Sequence, residues 1–68
     1  MDQADINNRF IYHKPSPEKA EMHDAVRGEC LSAASSLNSL LPDGREKSLA
    51  ITHLEEVMFW ANAAIARS

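Results

Sequence analysis

With 68 residues, the chain is shorter than the length at which one hydrophobic core stabilises a fold by more than a few kcal/mol, so disulfides, a metal or further subunits must contribute. A single cysteine, Cys30, excludes an intrachain disulfide, and its place in an apolar helical run reads as a small buried residue of a reducing compartment. A formal charge of −3 and a pI near 5.4 exclude a coat for DNA or RNA, which binds by neutralising many phosphates with Lys and Arg. A small anion in a pocket needs only a few cations and helix ends.

Asp2 to Phe10 reads as a short helix capped by Asp2 and weakened by Asn7-Asn8. Tyr12 to Ser16 is expected to be extended, because Pro15 and Pro17 bias the residues before them away from helical angles. Ser16, Pro17 and Glu18 then supply an N-cap, a pre-set first helical residue and a carboxylate matched to the helix dipole, so a helix begins at about Pro17. Along it Met22, Val26, Cys30, Ala33, Leu37 and Leu40 recur at helical spacing and define one face. Gly28 is the one blemish within that helix, at a cost of roughly 1 kcal/mol relative to Ala; it marks a kink or the close approach of another backbone or a ligand.

Pro42-Asp43-Gly44 is a turn. A second long helix follows from about Arg45 to Ala66, with Ala50, Leu54, Val57, Ala61 and Ala64 on one face. Helices over about 17–41 and 45–66 each span roughly 30 Å, and the short loop makes them antiparallel neighbours. The expected fold is all-α: residues 17–68 as a two-helix hairpin, residues 1–16 as an N-terminal arm or short helix, and the whole as one domain. No leader and no membrane-length apolar run is evident, so the chain reads as soluble and cytosolic, with no membrane partner.

A hairpin alone leaves Leu49, Ile51, Met58, Phe59, Trp60 and Ile65 in water, because they wrap well beyond one stripe of the second helix. That excess predicts an obligate homo-oligomer, in which small residues such as Ser32 to Ser36 and Ala61 to Ala64 let helices approach closely. Asn62 among them is a candidate buried polar residue that fixes register.

The histidines His13, His23 and His53 do not fall at metal-ligand spacing with Cys30, and no metal or other cofactor is expected. His53 and Glu56 form a pair whose order is the reverse of the usual di-metal motif. Cys30 lies on the packing face, and adjacent Glu55 and Glu56 point about 100° apart, so neither a nucleophile nor a carboxylate pair is set up. An enzyme is not expected. Two segments stand out. In Phe10-Ile11-Tyr12-His13-Lys14-Pro15 an extended stretch combines aromatics with cationic and imidazole groups ahead of a helix start, a surface for a base and donors for a phosphate; packing of the arm against the hairpin is the competing reading. In Arg45 to Thr52 two cations open a helix against its dipole, which asks for an anion nearby: Asp43, Glu46 or a ligand.

Phe10-Ile11-Tyr12-His13-Lys14-Pro15, the run from Pro42 to Glu56 and the closing Trp60-Ala61-Asn62-Ala63-Ala64-Ile65-Ala66-Arg67 together resemble the phage anti-CBASS cyclic-nucleotide sponges, whose hairpin is shared with a sponge that counters Thoeris defence. The resemblance implies a homohexamer of hairpins, a trimer of dimers in the cytoplasm of the infected bacterium. It further implies pockets between protomers for cyclic dinucleotides such as 3′,3′-cGAMP and pockets near the three-fold axis for cyclic trinucleotides. By motif position it assigns Tyr12 to base stacking with His13 and Pro15 beside it, and Arg27 to the place where the family carries a basic residue, often lysine. Arg45, Lys47, Ser48 and Thr52 fall in the segment that lines the trinucleotide pocket. The implied function is sequestration of the messenger without cleavage, which keeps CBASS effectors inactive. The main alternative is a small helical oligomerisation or adaptor module that binds a protein partner.

Overall fold

The computed structural model describes residues 1–68 as three helices in series: α1 (Gln3–Phe10), α2 (Pro17–Leu40) and α3 (Arg45–Ala66). Each begins where the local chemistry sets it. The Asp2 carboxylate accepts the Ala4 amide at 3.1 Å and opens α1. The Ser16 hydroxyl accepts the Lys19 amide at 3.2 Å, with Pro17 behind it, and opens α2. α2 closes when the Leu41 amide donates to the Leu37 carbonyl at 3.0 Å and Pro42 prevents continuation. Gly44 then adopts φ +153°, a conformation side chains disfavour, and its carbonyl accepts the Ser48 amide at 3.2 Å to start α3.

α2 and α3 pack antiparallel, and α1 packs against neither. α2 runs unbroken through Gly28, as expected for a helix over about 17–41. α2 has no basic residue in its last turn, yet its C-terminal dipole is compensated from the other helix. Lys47 Nζ donates to the Asn38 carbonyl at 2.8 Å and pairs with Asp43 at 3.0 Å, and its side chain is only 14% exposed.

The seam keeps most of the expected stripe positions and shifts by one residue at four of them. Val26, Cys30, Ala33 and Leu37 face α3 as predicted, but His23 and Leu41 are half-buried where Met22 and Leu40 were expected, and the latter two are exposed. On α3, Ala50, Leu54 and Ala61 hold, while Met58 and Ile65 replace Val57 and Ala64. Helices that are apolar over much of their circumference carry two neighbouring stripes with the same three-and-four spacing, so periodicity alone does not choose between them.

Ile65, at 7% exposure, is the one buried residue of the chain. The reason is shape: the molecule measures 45 × 30 × 12 Å, one helix diameter thick. Its radius of gyration, 15.1 Å, compares with about 11 Å for a globule of this length. Its 5409 Å² of accessible surface is roughly a quarter more than a folded monomer of this mass exposes. Phe59, Trp60, Leu31 and Leu40 all stand in that excess surface. No helix is long and apolar enough to cross a membrane.

Candidate functional site: a cleft at the open end of the hairpin

Where the start of α2 meets the end of α3, the extended segment after α1 folds over them and leaves a cleft of about 490 Å³. Tyr12, His13, Pro15, His23, Arg27, Asn62, Ala63 and Ala66 line it. All four residues assigned to dinucleotide binding therefore meet at one place, although they span two structural elements.

The two prolines hold the segment extended, and His13 anchors it. Since a carbonyl only accepts, His13 Nε2 carries the proton and donates to the Asn8 carbonyl at 2.7 Å, which turns Nδ1 outward. Tyr12 makes no hydrogen bond and is 81% exposed, so within the chain its ring does not staple the arm to the hairpin. Arg27 is the one Lys, Arg, Asp or Glu residue that lines the cleft, and it makes a short ion pair with Asp24 one turn earlier on α2. Both partners are exposed, so the pair contributes little and the guanidinium keeps donors for another anion.

Sequence reasoning missed the role of His23 and did not find the partner of Asn62. The two meet across the seam: His23 Nδ1 donates to Asn62 Oδ1 at 2.8 Å. Asn62 stands out in the sequence as a polar residue among alanines. Nothing in the sequence pairs it with a residue 39 positions away.

The segment assigned to the trinucleotide pocket does not converge within one chain. Lys47 and Ser48 line a cleft of about 450 Å³ at the turn, beside Asn38, Asp43, Gly44 and Ile51. Thr52 lies instead in an apolar groove of about 390 Å³ halfway along the seam, with Leu31, Ala34, Ile51 and Met58. Arg45 lines neither and pairs with no carboxylate. Helical spacing puts Arg45, Ser48 and Thr52 on one face of α3 and turns Lys47 toward α2. Arg27 borders both the cleft and the apolar groove, and Ile51 borders both the apolar groove and the turn cleft. His13, His23, His53 and Cys30 do not gather into a ligand set. His53 and Glu56 form an exposed pair at 3.7 Å.

An aromatic plane, a guanidinium, an imidazole and an amide around one cleft can stack a base, pair a phosphate and hydrogen-bond a base edge. No curated protein and no solved structure matches the chain. A family model described as the Acb2/Tad1 hairpin domain matches residues 2–66, a span that takes in α1, the cleft and both long helices. The chain thus belongs to the Acb2/Tad1 hairpin family, the family of sponges that counter CBASS and Thoeris defence.

Proposed function

We propose that the protein sequesters cyclic di- and trinucleotide messengers, 3′,3′-cGAMP among them, without cleaving them, and so keeps CBASS effectors inactive in the cytoplasm of a phage-infected bacterium. The observation that carries this reading is the convergence of Tyr12, His13, Pro15 and Arg27 on one cleft. Family membership supports it, since the family acts by sequestration.

The excess apolar surface of a one-layer molecule supports assembly into a homo-oligomer, a hexamer in this reading, because Phe59 and Trp60 have nothing within the chain to cover them. A cyclic dinucleotide has two bases and two phosphates, so a pocket formed by two copies offers Tyr12 and Arg27 twice. A cyclic trinucleotide suits a site around an axis, where each copy presents the Arg45, Ser48 and Thr52 face of α3; Lys47 contributes there by holding the turn. Sequestration requires tight binding and no reacting group, and the cleft's residues are binding groups.

Titration calorimetry with 3′,3′-cGAMP, followed by heat denaturation and chromatography of the released nucleotide, tests the proposal. Saturable heat and intact nucleotide are expected. Cleaved nucleotide overturns sequestration, and no heat with any cyclic di- or trinucleotide turns the reading toward a helical adaptor that docks a protein on its exposed aromatics.

A further inference from the structure

We infer that α1 is an exchanged arm: in the homo-oligomer proposed above, on which the inference rests, its Ile6–Phe10 face seats against Phe59 and Trp60 on α3 of a second copy. Two unpartnered apolar surfaces meet in this way. α1 packs against neither long helix, and the molecule is one helix thick, so α1 lies beside its own hairpin rather than over a face of it. Its stripe of Ile6 and Phe10, one turn apart, finds no cover on α2 or α3, and Phe10 is 80% exposed. The second surface is a cleft of about 480 Å³ lined by Glu56, Phe59, Trp60, Ala63 and Arg67. All five belong to α3, so the cleft is the side of a single helix, a surface that another helix laid along it covers.

Charge sets the direction of docking. Glu56 and Arg67 stand at opposite ends of the cleft with the aromatics between them, while α1 has Asp2 and Asp5 at its start and Arg9 in its last turn. Laid antiparallel to α3, α1 brings Arg9 to Glu56 and Asp2 to Arg67, with Ile6 and Phe10 over Phe59 and Trp60. Asp2 to Arg9 spans about 10 Å and Glu56 to Arg67 about 16 Å, a difference that two arginine side chains reach across. Parallel docking would set Arg9 against Arg67. Neither arginine is in an ion pair within the chain, and Glu56 has only the exposed His53 at 3.7 Å. The occupant is a second copy because the arm is steered off its own hairpin. The His13 bond to the Asn8 carbonyl ties α1 to the extended segment, and Pro15 and Pro17 fix the course of that segment. Ala63 lines both this cleft and the one at Tyr12, so a neighbour's arm seated here lies beside the ligand site.

Sedimentation and cross-linking of the full-length protein test the exchange. Ile6→Ser with Phe10→Ser should leave a smaller species at concentrations where the unaltered protein is fully assembled. Arg9→Glu and Glu56→Arg should each weaken association by up to about fivefold per contact, the range for an exposed pair, and the variant with both should recover, because the reversed charges pair again. In a Cys30→Ser background, Gln3→Cys with Ala63→Cys should oxidise to linked dimers and larger species on a non-reducing denaturing gel, since both positions lie along the proposed contact. A link closed within one chain, seen as a monomer without free thiol, overturns the exchange. Assembly that survives the Ile6 and Phe10 changes, with no link between chains, overturns it as well. An unaltered protein that sediments as a monomer removes the proposed assembly itself, an outcome separate from an oligomer indifferent to its arm.

Discussion

Arg27 faces an incoming phosphate while already holding a carboxylate, and the competition sets how much of its charge reaches the ligand. Asp24 is exposed and close to the cleft, so it both occupies Arg27 and repels an anion. Replacing it, Asp24→Asn, should tighten 3′,3′-cGAMP binding up to about fivefold, since an exposed pair is worth at most about 1 kcal/mol; calorimetry at low and high salt checks this, with the difference shrinking as salt rises. Tyr12 poses the opposite case, a large side chain with no structural contact to lose. Tyr12→Ala should leave assembly and melting temperature unchanged and weaken dinucleotide binding by one to two orders of magnitude, from about 1–3 kcal/mol per stacked base. Joint loss of assembly and binding would return Tyr12 to a packing role. The segment from Tyr12 to Pro15 was legible as a candidate because an aromatic, an imidazole and a proline stand together in an extended stretch, whereas Arg27, nearly three helical turns into α2, was assigned through the resemblance alone. The His23–Asn62 pair was not, because only the hairpin brings the two residues together.

The helices follow from short-range signals: Asp2 and Ser16 caps, Pro17 at a first turn, and Pro42 with Gly44 at the reversal. Which stripe turns inward does not, because α3 is apolar on several sides and the choice belongs to the turn and the partner helix. Lys47 illustrates the same divide. In sequence it is a cation misplaced at a helix start; in the structure it closes the end of α2 through the Asn38 carbonyl. Lys47→Met, which keeps the packed stem and removes the ammonium, should destabilise the protein by about 1–2 kcal/mol, the range for a hydrogen bond to a charged group. Urea unfolding followed by circular dichroism measures it, and an unchanged midpoint would leave Lys47 free for a ligand. Gly28 gives a prediction of the other sign. A Cβ built there meets nothing within 4 Å, so Gly28→Ala should stabilise α2 by about 1 kcal/mol. A lower melting temperature instead would show that another copy's backbone or a bound ligand lies against that turn.

A layer of two helices 12 Å thick has no inside, and this decides how the molecule holds together. Trp60 is 68% exposed and Phe59 58%, neighbours on α3 that together with Leu49 and Val57 present apolar surface away from α2. Burying such side chains stabilises by about 1.5–3 kcal/mol each, more than any cap or ion pair in the chain supplies. Folding and association of the proposed oligomer are then one equilibrium, and its melting temperature depends on protein concentration. Melting followed across a hundredfold dilution should show the midpoint fall by several degrees, whereas a monomer's stays fixed. Sedimentation should give a mass six times 7.6 kDa for the proposed hexamer. Trp60→Glu separates the two contributions. The ring is too exposed for its loss to disturb the hairpin seam, while a carboxylate on that face leaves a charge to be buried at every contact between copies. The variant should therefore sediment as a smaller species and lose much of its helical signal at micromolar concentration. If instead it stays folded and monomeric with the same midpoint, the hairpin is self-sufficient and its aromatic face is a docking surface for a different protein.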